Sequence, residues 1–212
     1  MTERPILFNG AMVRAILSGA KTQTRRAMKP QPADDIAQAT FPNPSAHGWR
    51  SSLRHPHGPT TAHFCPFGQP GDRLWVRERW KTHSTFDHLS PREVPPRSNI
   101  FYAADDRYSP SAARWRPSIH MPRDACRLVL EITAVRVERL QAITEADAEA
   151  EGTNPVAAKE PTHRDAFRYL WGDTGGDWES NPWVWVVGFR PLEVGRHHAA
   201  SDTTKENRDG RS

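Results

Sequence analysis

Aliphatic residues are scarce. Of 212 residues, 36 are Leu, Ile, Val or Phe (10, 7, 11 and 8), below the ~20% under which a highly charged chain stays unfolded. The net charge is only +4, so the composition implies a compact core diluted by long polar segments. Cysteine is nearly absent: Cys65 and Cys126 are too few for a disulfide framework and fit a reducing compartment. Long apolar runs are missing too. No stretch reaches the ~18 residues of a membrane span, and Met1-Thr2-Glu3-Arg4 leads into no signal-peptide core, so a soluble cytoplasmic protein without a membrane partner is expected. The chain has no G-x-G-x-x-G, no G-x-x-x-x-G-K-[ST] and no G-x-S-x-G, which removes the usual dinucleotide, P-loop and nucleophile-elbow readings.

Proline and arginine are abundant instead. Fourteen of the 19 prolines lie between Pro30 and Pro122. Arginine outnumbers lysine 24 to 5, beside eight tryptophans and a pI near 9.4. Guanidinium groups bind phosphates bidentately and stack on bases, so this bias favours a nucleic-acid or nucleotide partner, while an arginine-rich codon usage accounts for it equally well.

Asn9 caps a short amphipathic helix carrying Met12, Val13, Ile16 and Leu17, with Gly19 as its C′ residue. From Met28 to Gly71 the pattern dissolves into Pro, His, Ser and Gly and reads as a long loop. Arg73 to Glu78 alternates as a strand. A second Pro-rich insertion covers about Lys81 to Pro122, interrupted by a short strand at Asn99 to Ala103. Leu128, Leu130 and Ile132 form one face of a strand that Val135 and Val137 continue after a change of parity, the mark of a bulge. Thr144 opens a helix that Gly152 closes, Thr162 opens another that ends at Gly172, and Trp183 to Phe189 is a last strand with Trp183, Trp185, Val187 and Phe189 on one face. The order argues for an α+β fold, a small curled sheet or barrel with short flanking helices and two Pro-rich insertions, at about 28–70 and 81–122, in one domain over 1–193. The basic tail 194–212 is expected to be disordered.

Gly19-Ala20-Lys21-Thr22-Gln23-Thr24-Arg25-Arg26 gathers ammonium, hydroxyl and guanidinium donors directly after a helix. Such a cluster can cradle an anionic or carbonyl-bearing ligand, and a desolvated lysine can act as a base; a solvated turn at a helix C-terminus reads equally from the same residues. In a fully extended strand Lys21 and Thr24 point to opposite faces. Arg73, Trp75 and Arg77 share a face, either a base-stacking surface or arginines flanking a packed Trp. The histidines of the insertions, with His63, Cys65, His120 and Cys126, lack paired zinc spacing, so no metal is expected.

Gly19-x-Lys21-x-x-Thr24-x-Arg26 resembles the G-x-K-x-x-T-x-R signature of ASCH domains, members of the PUA-like superfamily of small β-barrels. The likeness continues through Pro70-Gly71-Asp72-Arg73-Leu74-Trp75-Val76-Arg77-Glu78, Thr144 to Gly152 and Trp183 to Arg190, about half of the chain, and the insertions look like those of a longer, prophage-type branch. What the resemblance implies is recognition of RNA or a modified nucleoside. In one bacterial branch it implies hydrolysis of the amide of N4-acetylcytidine, with Lys21 as base, Thr24 as nucleophile or water-positioning group, and Glu151 as proton shuttle. Gly19, Arg25, Arg26, Trp75, Arg77 and Glu78 would hold the ligand, with no cofactor. A non-catalytic nucleic-acid-binding module and an interaction protein docking a partner through its aromatic insertions remain open beside this.

Overall fold

The computed structural model describes residues 1–32, 48–55, 58–96, 98–105 and 112–194, with the backbone alone for 48–50, 51–55, 58–63 and 193–194. The elements run β1 (Glu3–Leu7), α1 (Gly10–Leu17), β2 (Gln23–Ala27), β3 (Gly48–His55), β4 (Gly58–Phe64), β5 (Arg73–Arg77), β6 (Trp80–Lys81), β7 (Phe101–Tyr102), β8 (Leu128–Arg139), α2 (Glu145–Ala150), α3 (Pro155–Ala158), α4 (His163–Asp173) and β9 (Trp183–Val194). One five-stranded sheet, in the order β1-β5-β8-β9-β2, carries the fold; β1 and β5 are parallel and the other neighbours antiparallel.

The α+β class read from the sequence holds, but the expected barrel is not closed by hydrogen bonds. The ladder ends at β1 and β2, which do not pair with each other among the described residues. One side chain reaches between them: Arg26 of β2 donates to the Leu7 carbonyl of β1 at 2.6 Å. β8 carries a local irregularity. Its register against β9 shifts between Ile132 and Ala134, leaving Thr133 as the extra residue of a bulge at the predicted change of parity, and bulges bend and twist a strand.

β9 is covered on both faces, where the sequence suggested one. Trp183, Trp185, Val187 and Phe189 join the main core with Ile6, Phe8, Val13, Ile16, Leu128, Leu130 and Ile132. Val184 and Val186 join a second core with Leu140, Ile143, Ala148 and Phe167, beneath α2 and α4. A strand buried on both faces reads as a continuous apolar run, and Trp183 to Val187 is one.

The insertions are not plain loops. β3 and β4 form a hairpin inside the first, which Pro and His residues disguised, whereas 33–47 lie outside the described residues. The second holds the β6–β7 pair and a small core of Trp80, Tyr102, Met121 and Ala125. α4 runs to Asp173, past the expected stop at Gly172. The predicted disordered tail falls, beyond Val194, outside the described residues.

Candidate functional site

α1 begins at its Asn9 cap, which accepts the Met12 N–H at 2.8 Å, and ends with Gly19 at φ +79°. Nothing lies within 4 Å of a Cβ built on Gly19, so conformation rather than space calls for glycine there. α2 ends similarly, with Gly152 at φ +80° just after Glu151. Two helix C-termini thus converge, and Lys21 and Glu151 meet in an isolated antiparallel bridge. Gly152 has a further reason to lack a side chain: a Cβ there would come within 2.8 Å of Lys21 Cβ and 2.9 Å of Ala15 Cβ.

Lys21 is wholly covered. Its Nζ donates to Glu151 Oε2 at 2.9 Å and to the Glu151 carbonyl at 2.7 Å, with the Phe8 ring centroid 5.8 Å away. Burial pushes the ammonium below the ordinary lysine value, and the Glu151 charge opposes that fall. The other Glu151 oxygen accepts Arg25 Nη1 at 3.1 Å. Arg25 also pairs closely with Glu138 and lies 3.4 Å from Asp147 Oδ2, while Arg136 bonds Asp147 Oδ1 at 2.5 Å and lies 3.6 Å from Glu138. Three cations (Lys21, Arg25 and Arg136) therefore face three carboxylates. Burial raises the Asp147 carboxyl, but the Gln23 hydrogen bond and the Arg136 and Arg25 charges outweigh it and hold the group below the usual range.

Beside this network lies a cavity of about 730 Å³, walled by Thr24, Arg25, Arg26 and Glu151 on the β2 side, by Phe167, Leu170 and Trp171 of α4 opposite, and by Phe67 and Met12. The size and the mixture of aromatic surface with few convergent polar groups are those of a small-molecule site. Thr24 is 3% exposed, and its hydroxyl makes no hydrogen bond among the described residues. Arg26 lies 5.4 Å over the Phe8 ring, and burial lowers its pKa against the opposing Glu151 charge.

The structure thus brings Lys21, Arg25 and Glu151 into contact and sets Thr24, Arg25, Arg26 and Glu151 around one cavity. Lys21 does not line it and stands behind Glu151. Gly19 is exposed and shapes the turn. The strand Arg73–Arg77, expected beside the pocket, lies three places from β2 in the sheet, so Trp75, Arg77 and Glu78 do not reach the cavity. Trp75 is covered by Arg77 at 4.8 Å, and Arg77 donates to the Met121 carbonyl at 3.0 Å. Glu78, pushed up by burial and pulled back by Arg127, holds that arginine through bonds of 2.9 and 3.1 Å. Sequence reasoning missed Arg136 and Glu138, although polar residues in an otherwise apolar strand were the available sign. It also placed Phe167 and Trp171 on a helix face without seeing that this face would form a cavity wall. Among the described residues no group of three or more His, Cys, Asp or Glu is arranged to hold a metal ion.

No protein-family model and no curated protein matches the chain. Solved structures similar to it include these two. One is an ASCH domain from Lactobacillus crispatus, 12% identical, with 91% of this chain and 80% of that chain covered at a TM-score of 0.38. The other is a protein from Enterococcus faecalis described under the family model DUF984, 10% identical, with 94% and 86% covered at a TM-score of 0.39.

Proposed function

We propose that this chain is an ASCH-type protein of the prophage-type branch that takes a modified nucleoside into the cavity beside β2 and hydrolyses the amide of N4-acetylcytidine. One observation carries the reading: Thr24, with an unengaged hydroxyl, and Glu151, fixed by Lys21 and Arg25, line the same cavity. A hydroxyl attacks an acyl carbon only when a neighbouring base takes its proton, and buried Lys–Glu pairs supply such groups. In this scheme Thr24, or a water it holds, adds to the acetyl carbonyl. The Lys21–Glu151 pair accepts the proton and returns it to the 4-amino group as the C–N bond breaks; acetate then leaves directly where water attacked, or after a water hydrolyses the Thr24 ester where the hydroxyl attacked. Phe167 and Trp171 supply apolar surface for a flat base.

A second reading, recognition without hydrolysis, draws on Lys21 itself. Its ammonium is engaged twice by Glu151 and does not line the cavity, as expected of a charged structural lysine. Incubation with N4-acetylcytidine, followed by chromatography of released cytidine, separates the two. Thr24→Val, which keeps shape and removes the hydroxyl, serves as control beside Lys21→Ala. Release that falls at least ~100-fold in Thr24→Val supports hydrolysis; binding without release supports recognition alone, and neither binding nor release refutes both.

A further inference from the structure

Arg25 falls on an unspecified position of the signature G-x-K-x-x-T-x-R, and the sequence suggested that it holds the ligand. The geometry gives it other work. Its side chain has no exposed surface: Nη1 donates to Glu151 Oε1 at 3.1 Å, while Nη2 pairs closely with Glu138 and lies 3.4 Å from Asp147 Oδ2. Both terminal nitrogens are thus spent on protein carboxylates. The guanidinium carbon lies 5.8 Å from the Phe167 ring centroid, so the same group also backs the aromatic wall of the cavity.

Each oxygen of Glu151 has one side-chain donor, Lys21 on Oε2 at 2.9 Å and Arg25 on Oε1. The terminal torsion of a glutamate is broad, so a single donor leaves the carboxylate free to turn, whereas a donor on each oxygen fixes its plane. Arg25 is itself held from β8. The register sets Arg136 opposite Val186 of β9, and Val186 opposite Arg25, with Glu138 two residues further along β8. Arg136 bonds Asp147 Oδ1 at 2.5 Å and lies 3.6 Å from Glu138 Oε2, so both outer carboxylates are anchored in turn. Glu138, Arg136 and Asp147 do not line the cavity. Any influence they have on a ligand there passes through Arg25 and Glu151.

We propose that Arg25 and Glu138 are positioning residues: Glu138 on β8 holds the Arg25 guanidinium, and Arg25 holds the Glu151 carboxylate in the plane from which it exchanges a proton with the reacting group. The inference rests on the hydrolytic reading of the cavity. It assigns Arg25 a task in the chemical step and none in binding, so the two kinetic constants separate it from the ligand contact expected from the sequence.

The test measures kcat and KM for N4-acetylcytidine, and calorimetric affinity for cytidine, in the full chain and in Glu138→Gln, Arg25→Gln, Arg25→Lys and the double variant Arg25→Gln/Glu138→Gln. Each variant should lose at least ~10-fold in kcat, since a misplacement of about 1 Å can cost ~100-fold. KM and cytidine affinity should stay within about 2-fold of wild type. Arg25→Lys keeps the charge but has no fork to join Glu138 to Glu151, so it should not restore kcat. Because Glu138 acts through Arg25, the double variant should be no slower than Arg25→Gln alone. Should Arg25→Gln fail to fold, Arg25→Lys takes its place in that comparison, and Glu138→Gln alone still decides. A residue needed only for folding changes the folded fraction and leaves kcat per folded molecule as it was. A raised KM or weakened cytidine binding with kcat kept makes Arg25 a ligand contact and overturns the proposal. So does kcat within about 2-fold of wild type in Glu138→Gln, and multiplicative losses in the double variant overturn the link from Glu138. Wild type that hydrolyses while the variants match it leaves the hydrolytic reading intact, whereas no release by wild type removes both.

Discussion

Both side-chain hydrogen bonds of Lys21 go to Glu151, and the stem is closed in by Ala15, Phe8 and the backbone of Gly152. Removing one partner of such a buried pair leaves the other charge uncompensated, at about 3–5 kcal/mol. The lowered pKa of Lys21 gives this a pH signature. Burial is the larger influence and the Glu151 charge the opposing one, so the folded state releases the lysine proton before the unfolded chain does. Between the depressed folded value and the ordinary 10.5, the unfolded state holds more protons, and stability attributable to this group rises with pH. Lys21→Met lacks the titration. The difference in unfolding free energy between wild type and Lys21→Met, from urea denaturation at pH 7 to 10, should therefore grow in favour of wild type as pH rises; a constant or shrinking difference contradicts the assignment. The motif around Lys21 was legible in the sequence through the signature it resembles, since its residue types alone read equally as a solvated turn. Its immediate surroundings were not, because Arg136 and Glu138 reach it from a strand more than a hundred residues away, and no local pattern encodes that approach.

Helix ends decide the geometry at the scale of elements. Asn9, Thr144 and Thr162 each accept an N–H of the first turn of the helix they open, as their residue types predicted. Strand parity and the β8 bulge were readable for a similar reason: each depends on neighbours a few residues apart. The order of strands in the sheet depends on distant pairings, and that is why β5, one of the clearest strands in the sequence, proved remote from the cavity. Gly19 and Gly152 test how far local conformation and tertiary approach differ. Both have positive φ, yet only at Gly152 would a Cβ meet side chains below 3.0 Å. Gly19→Ala should cost only the left-handed penalty, about 1–2 kcal/mol. Gly152→Ala adds displacement of the Lys21 and Ala15 contacts and should exceed it by at least ~1 kcal/mol. Denaturation midpoints of the two variants give the comparison, and equal losses would mean that Lys21 is not held as closely as described.

Across the whole molecule, the arginine excess acquires a reading that composition did not offer. Guanidinium groups tie segments together through backbone carbonyls: Arg4 to Pro66, Arg14 to Ala104, Arg77 to Met121, Arg116 to Phe86 and Leu89, Arg139 to Asn181 and Arg164 to Gln141. None of these joins neighbours in sequence, and several anchor the second insertion, whose own core is small. A chain with 36 large aliphatic and Phe side chains in 212 residues thus holds long polar segments by charge-assisted bonds where others use apolar contact. Arg116 is the sharpest case. It is 4% exposed, gives one Nη to Leu89 O at 2.9 Å and the other to Phe86 O at 2.7 Å, and lies 5.4 Å over Trp80. Lysine is a compact ammonium without the planar fork, and it cannot make both bonds while covering the indole. Arg116→Lys should lower stability by about 1.5–3 kcal/mol, the worth of a charge-assisted bond. The cavity is built on β2, on Glu151 at the end of α2 and on α4, none of which shares a core with Trp80. Ligand affinity of the folded Arg116→Lys protein should therefore match wild type. If instead affinity fell with stability, the second insertion would have to contribute to the site, and its arginines would be more than a means of holding polar chain in place.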